Sequence, residues 1–181
     1  PKISRIRVQC VVCCVLPHEK EGNLVGLVLV RETDRCISGR YNRDPDKAPK
    51  NGTMPGGGMK PKDADIIEAA RRETIQEARL DIPRECWIVS YYNQQIDQQP
   101  YAKPAKNRAG KDYTQMPYLE ITVSACLPYE WVKNELQTNW YDKAGIATWK
   151  DEMAKRDDPP NEHNETDQAW IQMLTVDYGS Q

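Results

Sequence analysis

The stretch with the clearest chemical content runs from residue 54 to residue 82, MPGGGMKPKDADIIEAARRETIQEARLDI. A glycine-rich turn leads straight into a segment carrying Arg72, Glu73, Gln76 and Glu77. Residues three and four apart share a helix face, so Glu73, Gln76 and Glu77 present their side-chain oxygens as one cluster. Two carboxylates and an amide oxygen facing one way are costly unless a cation joins them. Oxygen donors of this type suit Mg²⁺ or Mn²⁺, with waters and substrate phosphates completing the shell. Gly56 and Gly57 let the backbone approach the cluster and offer a carbonyl to the metal, while nearby basic residues hold phosphate oxygens. The chemistry implied is metal-assisted hydrolysis of a phosphoanhydride, in which the ion neutralises phosphate charge, activates a water and stabilises the leaving phosphate.

The elements that must hold this cluster can be read on either side of it. Residues 5 to 17, RIRVQCVVCCVLP, and 23 to 33, NLVGLVLVRET, are apolar runs separated by a polar turn, and both read as buried strands, arranged as a hairpin. Residues 65 to 79 form the clearest helix: Asp65 and Glu68 have capping-box spacing, Ile66, Ile67, Ala69, Ala70 and Thr74 supply a buried stripe, and Pro83 follows its end. CWIVSYY (86 to 92) and PYLEITVSACL (117 to 127) read as further strands, GIATWK (145 to 150) as a short strand, and ETDQAWIQMLTVDYG (165 to 179) as a last helix. Long polar loops are expected at about 34–53 and 93–116. The pattern is a mixed α/β domain covering residues 1–181, with no internal repeat or domain boundary.

The glycine turn and charged helix resemble the Nudix box, Gly-x5-Glu-x7-Arg-Glu-U-x-Glu-Glu-x-Gly-U, where U is a bulky apolar residue. Arg-Glu falls on Arg72 and Glu73, the second Glu of the later pair on Glu77, and the closing apolar residue on Leu80. The resemblance implies an α/β/α sandwich around a mixed central sheet, with Glu73 and Glu77 as metal ligands and Arg72 orienting a metal-binding Glu. Counting from Gly57 places Asp63 at the first Glu of the motif, with one extra residue before Arg72. Asp63 then either orients water and supports the metal shell or is an N-cap or loop carboxylate. Gln76 stands where a Glu is expected, Thr74 at an apolar position and Arg79 at the terminal Gly. An amide at 76 keeps an oxygen ligand but removes one negative charge, and Arg79 at a left-handed helix end costs about 1 kcal/mol. Family members supply a further acid from outside the box, for which Glu120, Glu135 and Asp142 are available. ATWKDEM (147 to 153) resembles the strand and loop that the family places late in the chain, and the last helix resembles its C-terminal helix.

Substrate contacts are expected from the loops. Lys103, Lys106, Arg108 and Lys111 lie between Tyr101 and Tyr113, a basic stretch with aromatic flanks suited to stacking a base and holding phosphates. Arg40, Arg43, Lys47 and Lys50 form a second basic stretch. A balance of 25 Lys and Arg against 27 Asp and Glu excludes a chain coated in positive charge, so nucleic-acid contact must be local. No apolar run reaches the roughly 18 residues of a spanning helix, so no membrane partner is expected. PKISRIRVQC lacks the order of a secretory signal, and the six cysteines read as small buried residues in a reducing, cytoplasmic setting. Cys10 and Cys13, three apart in a strand, point to opposite faces and are poorly placed to share one metal. His18 and His163 have no partners at ligand spacing.

The reading is a Mg²⁺- or Mn²⁺-dependent pyrophosphohydrolase acting on a nucleoside diphosphate linked to another moiety: a nucleoside polyphosphate, a dinucleotide, a nucleotide sugar or an RNA 5′ end. The alternative is a catalytically weakened Nudix module that binds or senses nucleotide or RNA. A homodimer is left open.

Overall fold

Strand β1 (Arg5–Val15) alternates: Val8, Cys10, Val12 and Cys14 are buried, while Arg7, Gln9, Val11 and Cys13 face the other way and stay half-buried. That two-residue period assigns one face of the sheet to the core. The computed structural model describes residues 5–16, 25–33, 52–95, 103–106, 112–115, 118–156 and 165–174. Along the chain β1 is followed by β2 (Val25–Glu32), β3 (Gly56–Gly58), α1 (Ile66–Ala78), β4 (Trp87–Gln95), β5 (Lys103–Lys106), β6 (Asp112–Gln115), β7 (Tyr118–Pro128), α2 (Tyr129–Trp140), α3 (Lys143–Ala154) and β8 (Thr166–Met173). The main sheet runs β4-β7-β1-β2-β8, with β3 also on β1, and β5 pairs with β6 in a separate ribbon. The β1–β7 pair is parallel and the other pairs are antiparallel, so the sheet is mixed and the class is α/β as expected.

The expected β1–β2 hairpin forms, but only Cys13–Val15 pair with Val25–Leu27. Farther back, Arg7, Val8 and Gln9 pair instead with Gly58, Gly57 and Gly56. β1 is therefore flanked by two different strands along one edge, and this opens the place that the glycine strand fills. Cys10 also takes the Pro55 carbonyl (2.8 Å), and Val30 and Thr53 exchange a pair of backbone bonds (both 2.9 Å), fixing the approach to β3.

The core is built from the even positions of β1, Val28 and Val30 of β2, Val123, Ala125 and Leu127 of β7, and Ala169 of β8. Ala69, Ala70 and Ala78 of α1 close onto it, with Val132 and Leu136 of α2. Small residues on α1 let its axis lie close to the sheet, close enough for the Cys10 thiol to donate to the Ala70 carbonyl (3.5 Å). Burial pushes the thiols of Cys10 and Cys14 up to about 12. Cys13 and Cys86 are half-buried and Cys126 is exposed, so the expectation of buried cysteines holds for Cys10 and Cys14 alone among the described five.

Three expectations are corrected. GIATWK is not a strand but the middle of α3: Asp142 caps the helix by accepting the Ala144 amide (3.0 Å), and Trp149 and Met153, four apart, pack on Ile75. Within ETDQAWIQMLTVDYG, residues 166–173 are not helical but form β8, drawn into extended form by the free edge of β2, which pairs with it from Gly26 to Glu32, and residues 175–179 lie outside the described ones. The resemblance of 147–153 to a strand and loop, and of residues 166–173 to a C-terminal helix, fails with these two. The third concerns 93–116: residues 93–95 extend β4 and the ribbon β5–β6 occupies its middle. Residues 34–51 lie outside the described ones. No helix among the described residues is long and apolar enough to cross a membrane.

Candidate active site

Helix α1 begins where Asp65, in extended backbone, accepts the amides of Ile67 and Glu68 through Oδ1 (both 3.0 Å). Arg84 pairs with Asp65 and with Glu68 (2.9 Å), and holds the Asp65 carboxyl down at about 2. This start sets the helical phase, which sends Arg72, Glu73 and Glu77 toward the β3 backbone.

Arg72 is the hub. Its Nε donates to Asp63 Oδ1 (2.9 Å), Nη2 to Asp63 Oδ2 and to the Gly58 carbonyl (2.9 Å each), and Nη1 to Glu73 Oε1 (2.6 Å) and Gln76 Oε1 (3.2 Å). Its five N–H groups thus each have an acceptor, a fork geometry that a lysine lacks. Burial works against its charge, but Asp63 and Glu73 outweigh that and raise its pKa. Asp63 is neither an N-cap nor a loop carboxylate in water: it is a bidentate partner of Arg72, steadied by the Lys60 amide (2.7 Å). Burial would raise its carboxyl, yet the bonds from Arg72 and the Lys60 amide hold it below the ordinary range. The extra residue before Arg72 is accommodated in the loop that folds Asp63 back onto the helix.

Glu73 and Glu77 lie against the glycine strand. The Gly56 amide donates to Glu77 Oε2 (2.9 Å), and a Cβ on Gly57 would come within 2.6 Å of the Glu73 carboxyl carbon. Gly57 therefore makes room for a carboxylate, and the Gly56 amide holds one. Gly56 has its own constraint, since a Cβ there would run into the Val8 carbonyl oxygen. Both acids are nearly buried, at 7% and 6% exposure. Burial pushes the Glu73 carboxyl above its ordinary range in spite of Arg72, and Glu165 adds to the rise.

Glu165 was missed by sequence reasoning, which placed it at the start of a helix. It sits just before β8, tied through its carbonyl to the Thr33 amide (2.9 Å), and its neighbour Thr166 donates to the Glu77 carbonyl (2.6 Å). Pairing of β8 with β2 is what carries it to α1, and pairing partners cannot be read from local periodicity. Of the other acids, Asp142 caps α3, Glu135 on α2 faces the Asn139 amide (3.5 Å), and Glu120 on β7 lies opposite Arg7. Lys103 opens the ribbon strand β5, opposite Gln115, whereas Tyr101 and Arg108 lie outside the described residues.

The donor types fit a hard divalent cation: two carboxylates lie against a glycine backbone, and the Gln76 amide oxygen shares Arg72 Nη1 with Glu73. With Gln in place of Glu at 76, no group of three or more His, Cys, Asp or Glu among the described residues is placed to hold a metal. Two carboxylates are thus the core of the set.

The NUDIX domain profile matches residues 9–176, so the chain belongs to the Nudix family. A MutT/nudix family protein from Enterococcus faecalis is similar in structure, at 12% identity and a TM-score of 0.48, covering 94% of this chain and 44% of that one. A mutT/nudix family protein from Listeria innocua gives 14% and 0.46, covering 96% and 80%. The T. brucei MERS1–RNA complex gives 15% and 0.43, covering 93% and 51%. The chain therefore spans about half or less of two of these relatives. No curated protein matches significantly. Family membership rests on the profile match.

Proposed function

We propose that this chain is a divalent-metal-dependent pyrophosphohydrolase cleaving a phosphoanhydride in a nucleoside diphosphate linked to another moiety. The observation that carries it is the pair Glu73 and Glu77, buried against the Gly56–Gly57 backbone and organised by Arg72. Glu73, Glu77 and the Gln76 amide oxygen would hold Mg²⁺ or Mn²⁺, which supplies charge neutralisation and an activated water. Arg72 fixes Glu73 in one rotamer and keeps Gln76 turned to the same side. Asp63 locks Arg72 in turn, so this chain uses the motif's first acid as a brace. Glu165, in electrostatic range of Glu73, is the acid outside the box best supported to accept a proton from the attacking water.

The substrate reading comes from sequence. The basic residues of the ribbon and its connections, Lys103, Lys106, Arg108 and Lys111, with Tyr101 as a stacking group, favour a polyphosphorylated nucleotide or an RNA 5′ end. The test is a panel of nucleoside triphosphates, dinucleoside polyphosphates, nucleotide sugars, ADP-ribose and triphosphate or capped RNA, each with Mg²⁺ and Mn²⁺. Metal-dependent cleavage of one class identifies the substrate. Silence across the panel with intact ligand binding supports the second reading, a nucleotide- or RNA-sensing module, which Gln76 favours by removing one charge from the cluster.

A further inference from the structure

The far end of α1 is where this chain departs from the family motif, placing Arg79 at the terminal Gly. Arg79 has φ 55° and ψ 36°, and no other non-glycine residue among the described ones has a positive φ. An L side chain in that region costs about 1 kcal/mol relative to Gly. A mere helix stop would be better served by glycine, so the side chain must supply something.

It closes a reciprocal clamp with α2. Arg79 Nη1 donates to the Asn139 carbonyl (2.8 Å), and Asn139 Nδ2 donates back to the Arg79 carbonyl (2.7 Å). The guanidinium lies 3.9 Å from the Trp140 ring centre and 5.5 Å from that of Trp149, while Trp140 Nε1 donates to the Ala78 carbonyl (2.8 Å). The Arg79 and Leu80 amides close the last turn on Ile75 and Thr74 (3.2 and 3.4 Å). Three carbonyls at this helix end, those of Glu77, Ala78 and Arg79, are thereby satisfied by side chains of α2 and β8. Glu77 stands two residues before Arg79, inside this clamped turn, with its carboxylate on the Gly56 amide.

We propose that Arg79, Asn139 and Trp140 form a latch that fixes the last turn of α1 and so holds Glu77 against Gly56, making Arg79 a positioning residue. The latch itself stands on the contacts above; its consequence for cation binding rests on the proposed role of Glu77.

The test compares Arg79→Gly, Trp140→Phe and Glu77→Gln with the parent chain. It reads three quantities: amide exchange at Gly56 in metal-free protein, Mn²⁺ affinity by the loss of free-ion paramagnetic signal, and melting temperature. Arg79→Gly restores the family's residue and relieves the backbone, yet it is expected to speed Gly56 exchange about tenfold. Mn²⁺ affinity should fall roughly fivefold, the scale of one lost hydrogen bond with a cation–π contact. Trp140→Phe keeps a smaller aromatic face for Arg79 but loses the bond to Ala78, and should move both readings the same way by less. The latch is overturned if Arg79→Gly leaves Gly56 exchange at the parental rate, or if exchange rises equally throughout the sheet with a falling melting temperature. If Arg79→Gly does not fold, Trp140→Phe decides on the same two outcomes. Glu77→Gln separates the two layers: unchanged Mn²⁺ affinity there refutes the cation role of Glu77, while the Gly56 exchange rates still decide the latch.

Discussion

The two ends of α1 solve the same problem by different means. At the Arg72 end, the family residue is present and the work is done within the box: one guanidinium collects Asp63, Glu73, Gln76 and the Gly58 carbonyl. At the Arg79 end, the family residue is absent, and support comes from outside the box, from Asn139, Trp140 and Thr166. A motif position can thus be abandoned where neighbouring elements supply the lost backbone geometry, and kept where a single side chain satisfies several partners at once.

The sharpest way to break this contrast is at the hub. Arg72→Ala leaves Asp63 and Glu73 as buried carboxylates without their cation, and should destabilise the fold by about 3–5 kcal/mol, read by urea unfolding. An effect under 1 kcal/mol would make the hub a surface feature. The glycine strand separates function from stability. Gly57→Ala directs its methyl at the Glu73 carboxyl and should reduce metal-dependent turnover at least tenfold with a near-parental melting temperature. Gly56→Ala meets the Val8 backbone instead and should lower stability first, so equal behaviour of the two variants would contradict the assignment.

Acid titration probes the brace. The Asp63 carboxyl sits below its ordinary value of 3.8, so its contribution to stability is complete above that pH and is lost as pH falls through 3.8 toward the depressed value. Asp63→Asn should flatten the stability profile in that acid window; an unchanged slope would mean the pair with Arg72 contributes nothing. The smallest expected effect is at position 76. Gln76→Glu adds a third carboxylate beside Arg72, and a severalfold gain in turnover would mark a weakened cluster, whereas no gain would mark a site adapted to the amide.

Much of this was legible in the sequence. The Asp65 cap, the helix from 66 to 78, the β1–β2 hairpin and the approach of Glu73 and Glu77 to Gly56 and Gly57 all follow from local spacing. What spacing could not show is long-range. Residues 166–173 carry apolar side chains compatible with a helix, and only the open edge of β2 makes them a strand. Residues 145–150 look β-prone, yet Asp142 caps them and Ile75 receives Trp149 and Met153. Glu165 reaches α1 through the β8–β2 pairing, and Asn139 from α2, a helix the sequence reading did not assign. Arg79 read from sequence as a liability because its compensating partners lie 60 residues away.

The central claim is that Glu77 holds the catalytic cation. It is tested most directly by measuring Mg²⁺- and Mn²⁺-dependent pyrophosphate-bond hydrolysis of the parent and Glu77→Gln with the best substrate of the panel, alongside their unfolding curves. The account predicts a rate loss of about two orders of magnitude or more in a variant that stays folded. A folded Glu77→Gln with parental turnover would contradict it.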